Sequence, residues 1–172
     1  RAVDHGDIIV LATPSQYLSG VLRRVKKLDY AGRTFLSVVK GIEIGSLKRM
    51  SEIVHDELGN VHLAVLSGPT IASELARGIV TTAVIASHNQ SIAARLQKVF
   101  NSKTFRVYTN DDVIGVELGG SVKNVIALAC GICDGLGLGT NAKAAVLTRG
   151  LAEMARLGKA LGAKKETFYG LT

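Results

Sequence analysis

The chain has no tryptophan, and aromatic residues make up only 5% of its 172 positions. Its basic clusters, Arg23-Arg24, Lys26-Lys27, Lys48-Arg49 and Lys164-Lys165, have no stacking aromatics between them. A nucleic-acid partner is therefore not expected. No uninterrupted stretch approaches the roughly 20 apolar residues of a membrane span, so stable membrane insertion is not expected either. Arg1 does not open a basic segment followed by an apolar one, the pattern of a secretory signal. The only thiols are Cys130 and Cys133. Their CxxC spacing alone fits a redox pair or half a zinc site, but no second pair and no nearby histidine accompanies them. Inside the apolar run Val125 to Cys133 they read as two small core residues on one helix, and no metal is expected. Free thiols fit a reducing, cytoplasmic compartment.

What is present is a core-forming composition, 47% hydrophobic and 20% charged, which argues against disorder. The net charge of +7 suits a phosphate-bearing partner. Short β-branched runs alternate with amphipathic stretches over the first two thirds. The expected strands are Asp7–Ala12, Thr34–Val39, Leu63–Leu66, Val80–Ala86 and Phe105–Tyr108. The expected helices are Gln16–Lys27, Leu47–Leu58, Ile71–Ala76 and Ser91–Phe100. This alternation predicts parallel α/β layers, because a parallel connection needs a crossover. After Asp111-Asp112 only helical periodicity remains, in Val113–Cys133 and Ala142–Leu161. Two domains are expected, 1–110 and 111–172. There is no internal repeat. The chain starts abruptly and stops without a tail, and it reads as a fragment.

Several polar features stand where strands should end, the edge at which open α/β sheets bind ligands. Thr13-Pro14-Ser15-Gln16 follows the first strand, with Ser15 readable as an ordinary N-cap. Lys40-Gly41 follows the second, a cation leaving a buried strand beside a glycine that lets another group approach. Ser67-Gly68-Pro69-Thr70 follows the third and offers hydroxyls and free N–H groups to an anion. In the helical part, Lys123-Asn124 sits among apolar residues. A lysine there either snorkels to solvent or has its pKa pushed down to where it can exchange protons with a substrate. Gly135-Leu-Gly-Leu-Gly-Thr-Asn141 superficially resembles a dinucleotide fingerprint, but it follows no strand and reads as a turn whose Asn141 caps the next helix. His5, His55, His62 and His88 share no spacing and receive no role.

Taken in order, Thr13-Pro-Ser15, Val39-Lys-Gly41, Ser67-Gly-Pro-Thr70 with Glu74, Gly120-Ser-Val-Lys-Asn124, Asp134-Gly-Leu-Gly137 and Leu147-Thr-Arg-Gly-Leu-Ala-Glu-Met154 closely resemble the bacterial type of NAD(P)-dependent glycerol-3-phosphate dehydrogenase. The resemblance covers essentially the whole chain. It implies a partial Rossmann-like parallel sheet followed by the start of an all-α substrate domain. The implied reaction is hydride transfer between NAD or NADP and C2 of sn-glycerol 3-phosphate, interconverting it with dihydroxyacetone phosphate and feeding glycerophospholipid synthesis. Lys123 matches the catalytic lysine. Lys40, Gly68, Thr70, Lys123 and Asn124 match or adjoin substrate-binding positions, and Pro14, Ser15, Lys40 and Ala72 the cofactor side. Arg149 belongs to a family motif and is read as structural first, with phosphate contact second. Thr167-Phe-Tyr-Gly-Leu-Thr172 looks like the start of a further substrate segment. The family's glycine-rich turn and its downstream aspartate and Arg-Asn pair have no counterpart in this sequence, so the 172 residues alone are expected to be inactive. The small-molecule phosphate substrate is the expected partner, and the resemblance leaves room for a homodimer. The competing reading is a non-catalytic phosphate-binding or interaction module.

Overall fold

The β-branched runs become five strands in the computed structural model, which describes residues 2–170. A turn of helix, α1 (Ala2–His5), precedes β1 (Ile8–Leu11). A 3-10 turn (Ser15–Tyr17) then leads into α2 (Leu18–Val25). After β2 (Thr34–Ser37) come α3 (Met50–Leu58), β3 (His62–Ser67), α4 (Ala72–Ala76), β4 (Thr81–Ala86), α5 (Gln90–Phe100) and β5 (Phe105–Asn110). Two long helices, α6 (Val113–Gly135) and α7 (Gly139–Ala160), and a 3-10 turn (Lys165–Tyr169) complete the chain. Leu171 and Thr172, the end of the segment expected to open a further substrate region, lie outside the described residues, as does Arg1.

The strands lie in the order β1-β2-β3-β4-β5. Each is parallel to its neighbour except at β3 and β4, which run antiparallel, with Ser67 opposite Val84. This corrects the all-parallel expectation. The connection, residues 68–80, holds only the five-residue α4, and the chain comes straight back beside β3.

Side chains alternate between the two faces of the sheet, as the pleat requires. On one face Leu11 and Phe35 meet Leu18 and Leu22 of α2 and Ile53 and Val54 of α3. On the other, Ala64, Leu66, Ala83, Ile85 and Val107 meet Ala93 and Leu96 of α5. Asn89 starts α5 by accepting the N–H groups of Ser91 and Ile92. The first half of α6 joins the α2–α3 face, where Val113 and Val116 pack on Val65, Val84 and Ala86. By length and composition α6 could also cross a membrane, which a search for uninterrupted apolar runs missed because Glu117 and Lys123 break the run. Within the fold its N-terminal half is a core helix.

Helices α6 and α7 form a hairpin. Gly137 and Gly139 supply the positive φ angles of the turn, and α7 begins at Gly139, so Asn141 lies inside the helix instead of capping it. Asp112 caps α6 by accepting from Gly115 N, and it also accepts from Lys164 N and Thr167 Oγ1. Cys130 and Cys133 are buried free thiols. Small residues let the hairpin close. A Cβ at Gly158 would run into the Phe168 ring, within the cluster of Leu118, Ala155 and Ala163. Gly158→Ala is thus expected to lower the unfolding free energy by about 1–3 kcal/mol despite alanine's better helix propensity. Gly131→Ala, where a Cβ meets open space in α6, is expected to raise it by about 0.5–1 kcal/mol. Urea titration followed by circular dichroism reads both signs, and two shifts of the same sign contradict the packing argument.

Candidate active site

Lys40 leaves the sheet just beyond β2. Its Nζ donates to the carbonyl oxygen of Gly68 at 2.8 Å and to Thr70 Oγ1 at 3.1 Å. Gly68 follows β3 with φ +148°, and a Cβ there would lie 2.9 Å from both Ala83 Cα and Thr82 O. Only glycine lets the chain turn this close to β4. The third group arrives on α6, which runs along β3 from Val113 near its start to Gly120 at its end. Gly120 is pressed on Ser67 so closely that no Cβ would fit. Just beyond this contact, Lys123 Nζ donates to the same Gly68 carbonyl. One oxygen at the sheet's carboxyl edge thus receives two lysines.

Lys123 is pushed down to about 8, first by burial and then by the neighbouring Lys40. Lys40 is also lowered by its own burial, while its hydrogen bond with Lys123 acts in the opposite direction. Two ammonium groups at one carbonyl repel each other, and the first to become neutral as pH rises is Lys123. An amine that titrates there can take or give a proton near neutral pH.

Two clefts adjoin at this pair. One, of about 550 Å³, lies over the strand ends and is lined by Thr13, Pro14, Ser15, Val39, Ala72 and Leu75 among others. The second, of about 830 Å³, lies between the turn after β3 and the α6–α7 hairpin, and includes Lys123, Asn124, Ile126, Leu151 and Phe168. Lys40 and Thr70 line both. Thr13 lines the first cleft, and its Oγ1 is buried without a hydrogen-bond partner.

The sequence-derived candidates fall in two sets. Thr70 and Asn124 line the second cleft with Lys40 and Lys123, whose amines meet on the Gly68 carbonyl, while Pro14, Ser15 and Ala72 line the first cleft with Lys40. Gly41 takes φ +140° because Ser15 Oγ lies where its Cβ would be, so the approaching group is Ser15. Ser15 itself makes no capping bond. Pro69 and Thr70 precede α4, which is capped by Ile71 and spans only five residues, so no helix-terminal anion site forms there. Arg149 lies exposed on α7 beside Glu153. Sequence reasoning missed Glu117, a buried acid that accepts from Arg49 Nη1, Ser51 N and Ser51 Oγ. An acid isolated among Val116, Leu118 and Gly119 was the available signal. Its partners, far away in sequence, were not.

Known proteins share the sequence pattern and the fold. The sequence model of the NAD-dependent glycerol-3-phosphate dehydrogenase N-terminus matches residues 1–93, and that of its C-terminus residues 112–172. A glycerol-3-phosphate dehydrogenase (NAD(P)+) of Fusobacterium nucleatum is 49% identical over all of this chain and 52% of its own length. The crystal structure of glycerol-3-phosphate dehydrogenase from Coxiella burnetii superposes with a TM-score of 0.91 at 44% identity, over 98% of this chain and 52% of that one. That of the Saccharomyces cerevisiae enzyme gives 0.87 at 31% identity, over 99% and 52%. The chain spans about half the length of the curated relatives it matches. Since the first matched region covers more than half of the chain, with strands β1 to β4, and the second takes in the helical hairpin, the chain belongs to the NAD-dependent glycerol-3-phosphate dehydrogenase family.

Proposed function

We propose that these residues form the strand-end half of the active site of an NAD(P)-dependent glycerol-3-phosphate dehydrogenase, with Lys123 as its acid–base group. The observation that carries this reading is the meeting of Lys40 and Lys123 on the Gly68 carbonyl, with Lys123 pushed down to about 8. The first cleft suits the nicotinamide end of NAD or NADP, with Pro14, Ser15, Lys40 and Ala72 around it. No glycine-rich turn between a strand and a helix occurs among the described residues, so the pyrophosphate is not assigned to any of them. When bound, the nicotinamide accepts or returns the hydride. Lys40, Thr70 and Asn124 hold the substrate in the second cleft, and the cationic pair favours its phosphate. We read the break between the cofactor and substrate parts at about residue 110, where β5 ends. The gap between the two matched regions, 93 to 112, supports this division.

In oxidation, neutral Lys123 takes the proton of the C2 hydroxyl while the C2–H electron pair leaves as hydride, and the alcohol becomes a ketone. In reduction, the Lys123 ammonium polarises the carbonyl and protonates the oxygen as C2 receives hydride. Oxidation needs the base form and reduction the acid form. The oxidation rate is therefore expected to rise with pH through a limb near about 8, and the reduction rate to fall through the same limb. Opposite limbs in kcat/KM for the two directions are the check, and limbs that move the same way contradict the assignment.

The direct test follows NADH and NADPH oxidation with dihydroxyacetone phosphate, in a polypeptide of the relatives' full length that contains these residues. Turnover with the phosphate ester and little with dihydroxyacetone supports the reading. Binding without turnover favours the phosphate-binding module.

A further inference from the structure

Glu117 is buried at 8% exposure in an otherwise apolar stretch of α6, and three donors converge on its carboxylate. Ser51 Oγ lies at 2.6 Å, Ser51 N at 2.7 Å and Arg49 Nη1 at 2.7 Å. Arg49 is fixed in turn by Glu52, 3.1 Å from Nη2. One helical turn further along α6, Ser121 Oγ donates to the Glu117 carbonyl and accepts the N–H of Gly41 at 3.0 Å. The segment from Lys40 to Ser51 is closed on itself by the bridge between Ile42 and Arg49 and by the bond from Glu43 N to Lys48 O. Both ends of this strap are thus fastened to one face of α6, one end beside Lys40 and the other at Glu117.

A buried ion pair is a weak source of stability, because taking both charges out of water offsets much of their attraction. Burial pushes the Glu117 carboxyl up, against the opposing effect of Ser51 and Arg49. What such a pair does supply is a unique setting. An apolar helix face tolerates small slides and rotations, whereas three directed bonds to one carboxylate do not.

We infer that Glu117, held by Arg49 and Ser51, is the positioning residue of the lysine pair: it sets the slide and rotation of α6 against the strap and so keeps Lys123 beside Lys40 at the Gly68 carbonyl. The inference rests on the reading of Lys40 and Lys123 as a functional pair. The groups facing Lys123 are Lys40 on the strap and the Gly68 carbonyl and Thr70 hydroxyl on the turn after β3, so the titration of Lys123 reports first how deeply α6 holds it buried and then how close Lys40 is.

The test needs no turnover, which separates its failure from failure of the proposed reaction. A polypeptide of the relatives' full length that contains these residues is labelled with acetic anhydride across a pH series, and the extent of acetylation at Lys123 is read by mass spectrometry. The wild-type midpoint is expected near about 8. Glu117→Gln keeps the shape but loses the charge that holds Arg49, and is expected to raise the midpoint by at least one unit, leaving about tenfold less neutral Lys123 at pH 8. Asp112→Asn loosens the start of the same helix, away from the strap, and is expected to leave the midpoint in place. An unchanged or lowered midpoint in Glu117→Gln, or an equal rise in both variants, overturns the inference. If circular dichroism shows Glu117→Gln unfolded, Ser51→Ala, which removes one donor, is read the same way with a smaller expected rise, and no rise overturns it.

Discussion

Replacing Lys123 by methionine is expected to lower kcat for dihydroxyacetone phosphate reduction by a factor on the order of 10²–10⁴, the usual contribution of a positioned proton donor. Methionine keeps the length and apolar stem of lysine and removes only the ammonium group, so the path of α6 along β3 should persist. Stability should not fall, because a half-buried cation repelled by Lys40 has been removed. The loss should appear mainly in kcat, since protonation of the carbonyl oxygen is completed only in the transition state. Steady-state kinetics on a polypeptide of the relatives' full length, with unfolding curves on the same samples, make the measurement. Near-equal kcat in the variant would falsify the acid–base role. A loss of kcat accompanied by unfolding would not count in its favour.

Gly68→Ala is expected to be the most damaging single methyl group in the chain. Its Cβ would press on the Ala83 Cα and the Thr82 carbonyl, both backbone atoms that cannot turn aside as a side chain can. Overpacking costs about 1–3 kcal/mol, and a side chain forced into a backbone region reserved for glycine adds about 1–3 kcal/mol. We expect a loss of about 4 kcal/mol in unfolding free energy, a large share of the stability of a domain this size. Because Gly68 also presents the carbonyl that both lysines share, surviving folded protein should lose the depressed titration of Lys123. Urea denaturation and Lys123 acetylation together decide the matter. A stability change under 1 kcal/mol would show that β4 yields to the methyl group.

Most of the strands could be read from the sequence, because buried strands need consecutive β-branched and apolar residues, as in Ile8–Leu11 and Thr34–Ser37. The direction of β4 was harder. It depends on the path of the connection between Ser67 and Thr81, which periodicity does not report. The candidate residues were found because each stands just past a strand or on the apolar helix, and their order resembled one family. Their convergence was not legible, since Lys40, Gly68 and Lys123 meet only once α6 is laid along β3. Glu117 illustrates the limit: its isolation was visible, but what satisfies its charge is the start of α3, where Arg49 and Ser51 stand 68 and 66 positions earlier. Asn141 failed for a local reason, because the glycines before it let α7 start at Gly139.

The strand order has a kinetic consequence. Each of the five strands pairs with the one before it in the chain, so no strand has to be inserted between two already joined. Assembly can proceed by successive addition, each step closing only the loop to the next strand, which keeps the entropy cost of every step small. The α6–α7 hairpin adds contacts that are local in the chain. Among the described residues, the longest closures include the return of Gly41 to Ser121 and of Ser51 to Glu117, across 80 and 66 positions. They bring the two lysines together, so the lysine pair should form late during refolding.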